Sequence, residues 1–159
     1  MNYMLKIQEA EGQQKLRLEG QRQEAKRLLL QLYNEIKPTD ELVLSLANSV
    51  YGLILFFDGE YNGALDALRT AVQQNPVNYA AEFNRACCAC KLADKIQSTG
   101  AADARAQLVA LEREALDSLG RVLREEPWRK EEVRGEALVK GDMHRLATNP
   151  HFIFLTSEV

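Results

Sequence analysis

The sequence is poor in proline and in aromatic residues, and it has no long apolar run. Four prolines in 159 residues and an aromatic fraction of 7% suit close-packed helices better than a sheet. The longest apolar block, residues 53–57, is far too short to cross a bilayer. The N-terminus also lacks an apolar segment, so we expect neither a signal peptide nor a membrane anchor. These absences predict a soluble all-α protein that does not associate with membranes.

The sequence also lacks a large excess of charge of either sign. The chain has 20 basic and 23 acidic residues, which gives a net charge of −3. Such a balance provides no strong positive field, and nucleic-acid binding depends on one. We therefore expect no nucleic-acid partner.

Cysteine and histidine are too few, and too badly spaced, for a disulfide framework or a zinc site. The three cysteines, Cys87, Cys88 and Cys90, are clustered and odd in number, which predicts reduced thiols and a cytoplasmic location. Zinc needs four ligands, and the two histidines lie far from this cluster in sequence. We interpret the cysteines as small residues at a helix contact. No metal and no cofactor are expected, and without a phosphate loop or nucleophile motif the protein is not expected to be an enzyme.

The pattern of apolar residues and turn signals divides the chain into helices. Residues 1–37 form a predicted N-terminal helix that ends at Pro38, with an apolar stripe in its second half. Residues 38–159 form the remainder, with long helices predicted over residues 41–57, 61–74, 79–97 and 102–125, and two or three shorter ones after Pro127. No linker separates these parts, so a single domain is expected overall.

Small residues recur where two of these helices would cross. Gly52 lies in the first of the four, Ala64 and Ala71 lie in the second, and Pro76 follows them. With these residues, and with a turn at residues 59–61, residues 45–76 resemble a tetratricopeptide repeat (TPR), whose period is about 34 residues. In that family, glycine and alanine let antiparallel helices approach to about 8–10 Å, and large residues pack beside them.

A second, longer unit begins at Tyr79. Residues 82–87 and 114–127 resemble the two helices of a further repeat, but Pro127 follows Pro76 by about one and a half repeat periods. We infer that both helices are lengthened and form a protruding hairpin. Residues 141–152 resemble a segment that closes TPR arrays in bacterial proteins, with Asp142 as a helix N-cap and Phe152 over the end of the stack. The resemblance covers about residues 41–156. It implies a right-handed stack of about two hairpins with an extra N-terminal helix and a C-terminal cap.

The resemblance also implies a binding site. In TPR proteins the first helix of each repeat lines a concave groove that takes peptides or helices. The corresponding residues are Leu46, Ser49, Val50, Leu53, Phe56, Phe57, Phe83, Asn84, Cys87, Cys90 and Lys91. Arg85 is expected nearby as a further polar contact. This set implies an adaptor or scaffold that binds an apolar helix or peptide of another protein.

Other interpretations of the same residues remain open. In one alternative, the apolar groove residues are core and are covered by the N-terminal helix of the same chain. In another, the protein is structural, and that helix drives homo-oligomerisation. A clamp for a C-terminal carboxylate is incomplete, because only Asn84 and Lys91 match in kind. Trp128 is expected to pack at the junction between the fourth long helix and the cap.

Overall fold

The structure, a computed structural model, describes residues 40–100, 104–138 and 141–157, together with ten positions between 16 and 31. The chain divides into two compact units, Met1–Thr39 and Asp40–Val159. In the first unit, the described positions are helical. The rest of the predicted N-terminal helix, and its predicted packing or self-association, lie outside the described residues.

The second unit is helical throughout its described residues, as predicted. Its elements in chain order are α1 (Glu41–Phe57), α2 (Tyr61–Gln74), α3 (Tyr79–Thr99), α4 (Ala104–Glu125), a 3₁₀ turn (Pro127–Arg129), α5 (Lys130–Glu136), a second 3₁₀ turn (His144–Leu146) and α6 (Pro150–Thr156). The bounds of the four long helices agree with the predicted ones to within about two residues, which is the usual uncertainty of helix ends. The predicted lengthening is observed, since α3 and α4 have 21 and 22 residues whereas α1 and α2 have 17 and 14.

Local capping explains where these helices begin and end. The carboxylate of Asp40 accepts a hydrogen bond from Leu42 N at 2.8 Å at the start of α1. The turn after α1 contains Gly59, whose φ of +75° is a conformation that only glycine adopts without strain. Gly100 ends α3 in the same way, with φ of +65°. At the start of α3, Asn78 accepts a hydrogen bond from Ala81 N at 3.0 Å.

Helices α1 and α2 pack antiparallel with small residues at their contact. A Cβ at Gly52 would lie 2.7 Å from Cγ of Leu68 and 3.2 Å from the carbonyl oxygen of Ala64, so only glycine fits. At the other end of the pair, the hydroxyl of Ser45 donates to the carbonyl oxygen of Ala71 at 2.7 Å. Both alanines are fully buried. The close approach predicted from these residues is therefore present.

Helices α2, α3 and α4 continue the packing. The thiol of Cys88 donates to the carbonyl oxygen of Tyr61 at 3.3 Å, which joins α3 to the first turn of α2. Ala86 on α3 and Ala115 on α4 have no exposed surface, and α3 and α4 pack side by side. Because α3 contacts a helix on each side, it buries residues around most of its circumference.

The C-terminal segment closes over α4. Asn149 caps α6 by accepting from His151 N, and Phe152 is buried. Leu155 packs near Gly120 of α4. This agrees with the expected covering role of Phe152.

Two expectations for the C-terminal segment were wrong. Asp142 does not cap a helix, because the 3₁₀ turn begins after Met143 and the carboxylate of Asp142 pairs with Lys91 instead. Trp128 does not pack at the junction, since its side chain is 73% exposed. The reason is that Trp128 lies in a short turn with no buried residue, and the buried apolar residue that follows is Val133.

Candidate functional site

A small pocket of about 90 Å³ opens between α1 and α3. Its lining residues are Leu53, Phe56, Phe57, Leu68, Phe83, Asn84, Cys87, Glu136 and Asp142. Six of the residues predicted to line a groove are thus brought together. The α1 residues follow the three- and four-residue spacing that places side chains on one face of a helix. The two carboxylates come from the C-terminal segment, and sequence reasoning did not include them.

Aromatic packing fixes the pocket wall on α1. The ring centroid of Phe56 lies 5.6 Å from that of Phe57 in an edge-to-face arrangement, and 5.5 Å from that of Tyr61. Such geometries are favourable for ring pairs. Phe56 therefore packs against two other aromatic rings at the pocket wall.

An apolar stripe continues from the pocket along α1. We call this surface the α1 stripe; it consists of Leu42, Leu46, Val50, Leu53 and Phe57, spaced by three or four residues. Leu46, Val50 and Phe57 are 61%, 47% and 65% exposed. Glu41 is the one charged residue of α1, and a helix so apolar all round is normally covered on every side. The α1 stripe is consequently an exposed apolar surface on a helix whose composition favours burial.

Phe83 forms the floor of the pocket and also contacts a cation. It is almost fully buried, and the guanidinium carbon of Arg129 lies 4.3 Å from its ring centroid. Arg129 pairs with Glu132 at 2.7 Å and with Glu126 at 3.1 Å. The hydrogen bond from Arg129 lowers the pKa of the Glu132 carboxyl. The two glutamates therefore hold Arg129 against Phe83.

The carboxylates at the pocket are held by Gly141 and Lys91. A Cβ at Gly141 would collide with the backbone carbonyl of Glu136, so glycine permits the approach that brings Asp142 to Glu136. Oε2 of Glu136 accepts from Asp142 N at 3.0 Å, and Oδ1 of Asp142 lies 3.1 Å from Nζ of Lys91. Burial opposes the charge of Lys91, but the hydrogen bond and charge of Asp142 outweigh it and raise the pKa of Lys91.

Cys87 is the thiol beside this pocket. Burial raises its pKa well above the usual range, and the charges of Asp142 and Glu136 raise it further. The thiol is therefore protonated near neutral pH and is a poor nucleophile or metal ligand.

Other predicted groove residues lie elsewhere. Cys90 has no exposed surface, and Ser49 is buried. Both lie on parts of their helices that face neighbouring helices, so neither borders the pocket. Burial raises the pKa of Cys90 to about 12. Lys91 does not line the pocket, although it reaches it through Asp142.

Arg85 was expected near the groove and instead belongs to a buried ion cluster. Its guanidinium lies 3.0 Å from the carboxylate of Glu82, which is fully buried, and its Nε donates to the hydroxyl of Ser118 at 2.8 Å. Burial lowers the pKa of Arg85. Glu82 also lies 3.3 Å from Arg121 on α4. The cluster joins α3 to α4, and sequence reasoning missed Glu82, for which the three-residue spacing to Arg85 was the available signal.

Neither a metal-ligand cluster nor a membrane-spanning helix is present within the described ranges. There, no group of three His, Cys, Asp or Glu side chains is placed to hold a metal ion. Among the described helices, none is both long enough and apolar enough to span a bilayer. Comparison of the chain with protein-family models, curated proteins and solved structures found no match.

Proposed function

We propose that this chain is a non-catalytic protein-interaction module, an adaptor or scaffold of TPR architecture. In this proposal α1–α2 and α3–α4 are two hairpins of a right-handed stack, and the α1 stripe with its adjoining pocket binds an apolar helix or peptide of another protein. The close contacts at Gly52 and the buried alanines on α2, α3 and α4 support the TPR architecture.

The observation that carries the binding role is the exposed α1 stripe leading into a preformed apolar pocket. Full burial of a Leu or Val side chain contributes about 1.5–3 kcal/mol, so covering Leu46 and Val50 would stabilise a complex appreciably. An engineered cavity of about 150 Å³ holds benzene. The smaller pocket between α1 and α3 suits a single aliphatic side chain, and one buried anchor within a wider apolar contact is how peptide-binding surfaces commonly work.

A selection experiment tests this proposal. The full-length protein is used to select binders from a displayed library of amphipathic helical peptides of about 15 residues, and binding constants are measured for the winners. Leu46→Asp and Phe57→Asp place a charge on the exposed α1 stripe and should weaken binding at least about tenfold while the protein remains folded. Val77→Asp is the matched control, because Val77 is exposed in the turn between α2 and α3.

The outcomes are distinct. Binders that lose affinity for both α1 variants and keep it for Val77→Asp support groove binding. Failure to select any binder, or binders that tolerate all three substitutions equally, would overturn the proposed site. Circular dichroism of each variant shows that a loss of binding is not a loss of fold.

A further inference from the structure

The polar border of the pocket is acidic. Apart from Asn84, the polar side chains that line it are the carboxylates of Glu136 and Asp142, and no Lys or Arg among the described residues is part of the lining. Lys91 neutralises Asp142, whereas the hydrogen bond that Glu136 accepts comes from a neutral backbone N–H. The charge of Glu136 therefore remains at the pocket.

An excess of negative charge is also found beside Phe83. Arg129 is a single cation between the carboxylates of Glu126 and Glu132, so this group also has a net negative charge. Its geometry shows how the surface accommodates a cation, with the guanidinium over an aromatic ring and paired to two carboxylates. Across residues 40–159 acidic residues outnumber basic ones, so the long-range field has the same sign.

We propose that the segment recognised by this groove is basic as well as apolar: an aliphatic anchor fills the pocket, and a Lys or Arg beside the anchor pairs with Glu136. This inference rests on the proposed function and adds the chemistry of the partner. It runs against a C-terminal carboxylate as the ligand, because such a group would meet the like charge of Glu136.

The test uses the same displayed library, with the positions that flank the apolar anchors fully randomised. Selected peptides should carry Lys or Arg next to an anchor well above its frequency in the unselected library. Glu136→Gln removes the charge and leaves an amide oxygen that still accepts from Asp142 N. This variant should bind the selected peptides about 3- to 10-fold more weakly, and the dependence of affinity on salt should become shallower.

Glu131→Gln is the matched control, since Glu131 is an exposed carboxylate on the same helix that does not line the pocket. It should leave affinity unchanged. Peptides that depend on Leu46 and Phe57 but show no basic enrichment, or that are indifferent to Glu136→Gln, would overturn this inference and leave the proposed function intact. Peptides indifferent to the α1 substitutions would overturn both.

Discussion

Gly52 offers the sharpest test of the helix packing. In the structure a Cβ at this position would lie 2.7 Å from Cγ of Leu68 and 3.2 Å from the backbone oxygen of Ala64. Leu68 is fully buried, so its side chain can move only into the small pocket that it lines. We therefore expect Gly52→Ala to force α1 and α2 apart or to strain Leu68.

The expected change in the free energy of unfolding follows from two opposing contributions. Alanine in place of glycine inside a helix stabilises by about 1 kcal/mol, because glycine has the greater backbone freedom to lose. Overpacking a close contact costs about 1–3 kcal/mol. The net effect of Gly52→Ala should be a destabilisation of about 1 kcal/mol. Gly120→Ala in α4 is the control, since its Cβ would lie 3.9 Å from Leu155, an ordinary contact, and only the stabilising term applies.

Urea unfolding, followed by circular dichroism, measures the free energy of unfolding of Gly52→Ala and of Gly120→Ala. The two variants should differ by about 2 kcal/mol, which isolates the cost of the close contact. On a Leu68→Ala background the same Gly52→Ala change should become neutral or stabilising, because the atoms it would meet are gone. If Gly52→Ala stabilises the protein as much as Gly120→Ala does, the contact between α1 and α2 is not as described, and the TPR architecture loses its main support.

Three further predictions concern stability and exposure. Glu82→Gln should destabilise the fold by about 3 kcal/mol in urea unfolding, because it leaves Arg85 charged and buried, while the exposed Glu131→Gln should have no measurable effect. Burial raises the pKa of the Cys90 thiol to about 12, whereas the pKa of a thiol in the unfolded chain is about 8.5. The contribution of Cys90 to stability is therefore complete below about pH 8.5 and is lost as the pH rises towards 12. Between about pH 9 and 10.5, the free energy of unfolding of Cys90→Ala should therefore fall less steeply with pH than that of the parent protein. The two slopes should differ by about 1.4 kcal/mol per pH unit, and equal slopes would contradict the burial of Cys90. Trp128 is the single tryptophan and is largely exposed, so its emission should shift little on unfolding and should be quenched by acrylamide in the folded protein; a large red shift would show that the residue is buried.

The parts of the fold that sequence reasoning predicted well depend on local signals. Asp40, Gly59 and Gly100 mark helix ends through backbone geometry that involves only a few neighbouring residues. Gly52 and Ala64 mark a crossing because nothing larger fits there. Each signal is contained in a short stretch of chain, so it can be recognised from the sequence alone.

The misplaced residues belong mostly to α3. This helix packs between α2 and α4, so apolar and small residues occupy most of its circumference and periodicity does not indicate which side faces a groove. Cys87 lines the pocket, whereas Cys90, three positions further, is in the core. Arg85 illustrates the same limit, because the pattern of α3 did not indicate that this residue is paired with Glu82 in the interior.

The acidic border shows a different limit. Glu136 and Asp142 reach the pocket from the C-terminal segment, about 50 residues beyond Phe83 and Asn84, and nothing near them in sequence marks them as groove residues. Their position depends on Gly141 and on the ion pair with Lys91. In the proposed groove, α1 and α3 supply the apolar contact and the C-terminal segment supplies the charge. Because different parts of the chain provide these two contributions, a substitution at Glu136 should change which partner is preferred without disturbing the helix packing that forms the pocket.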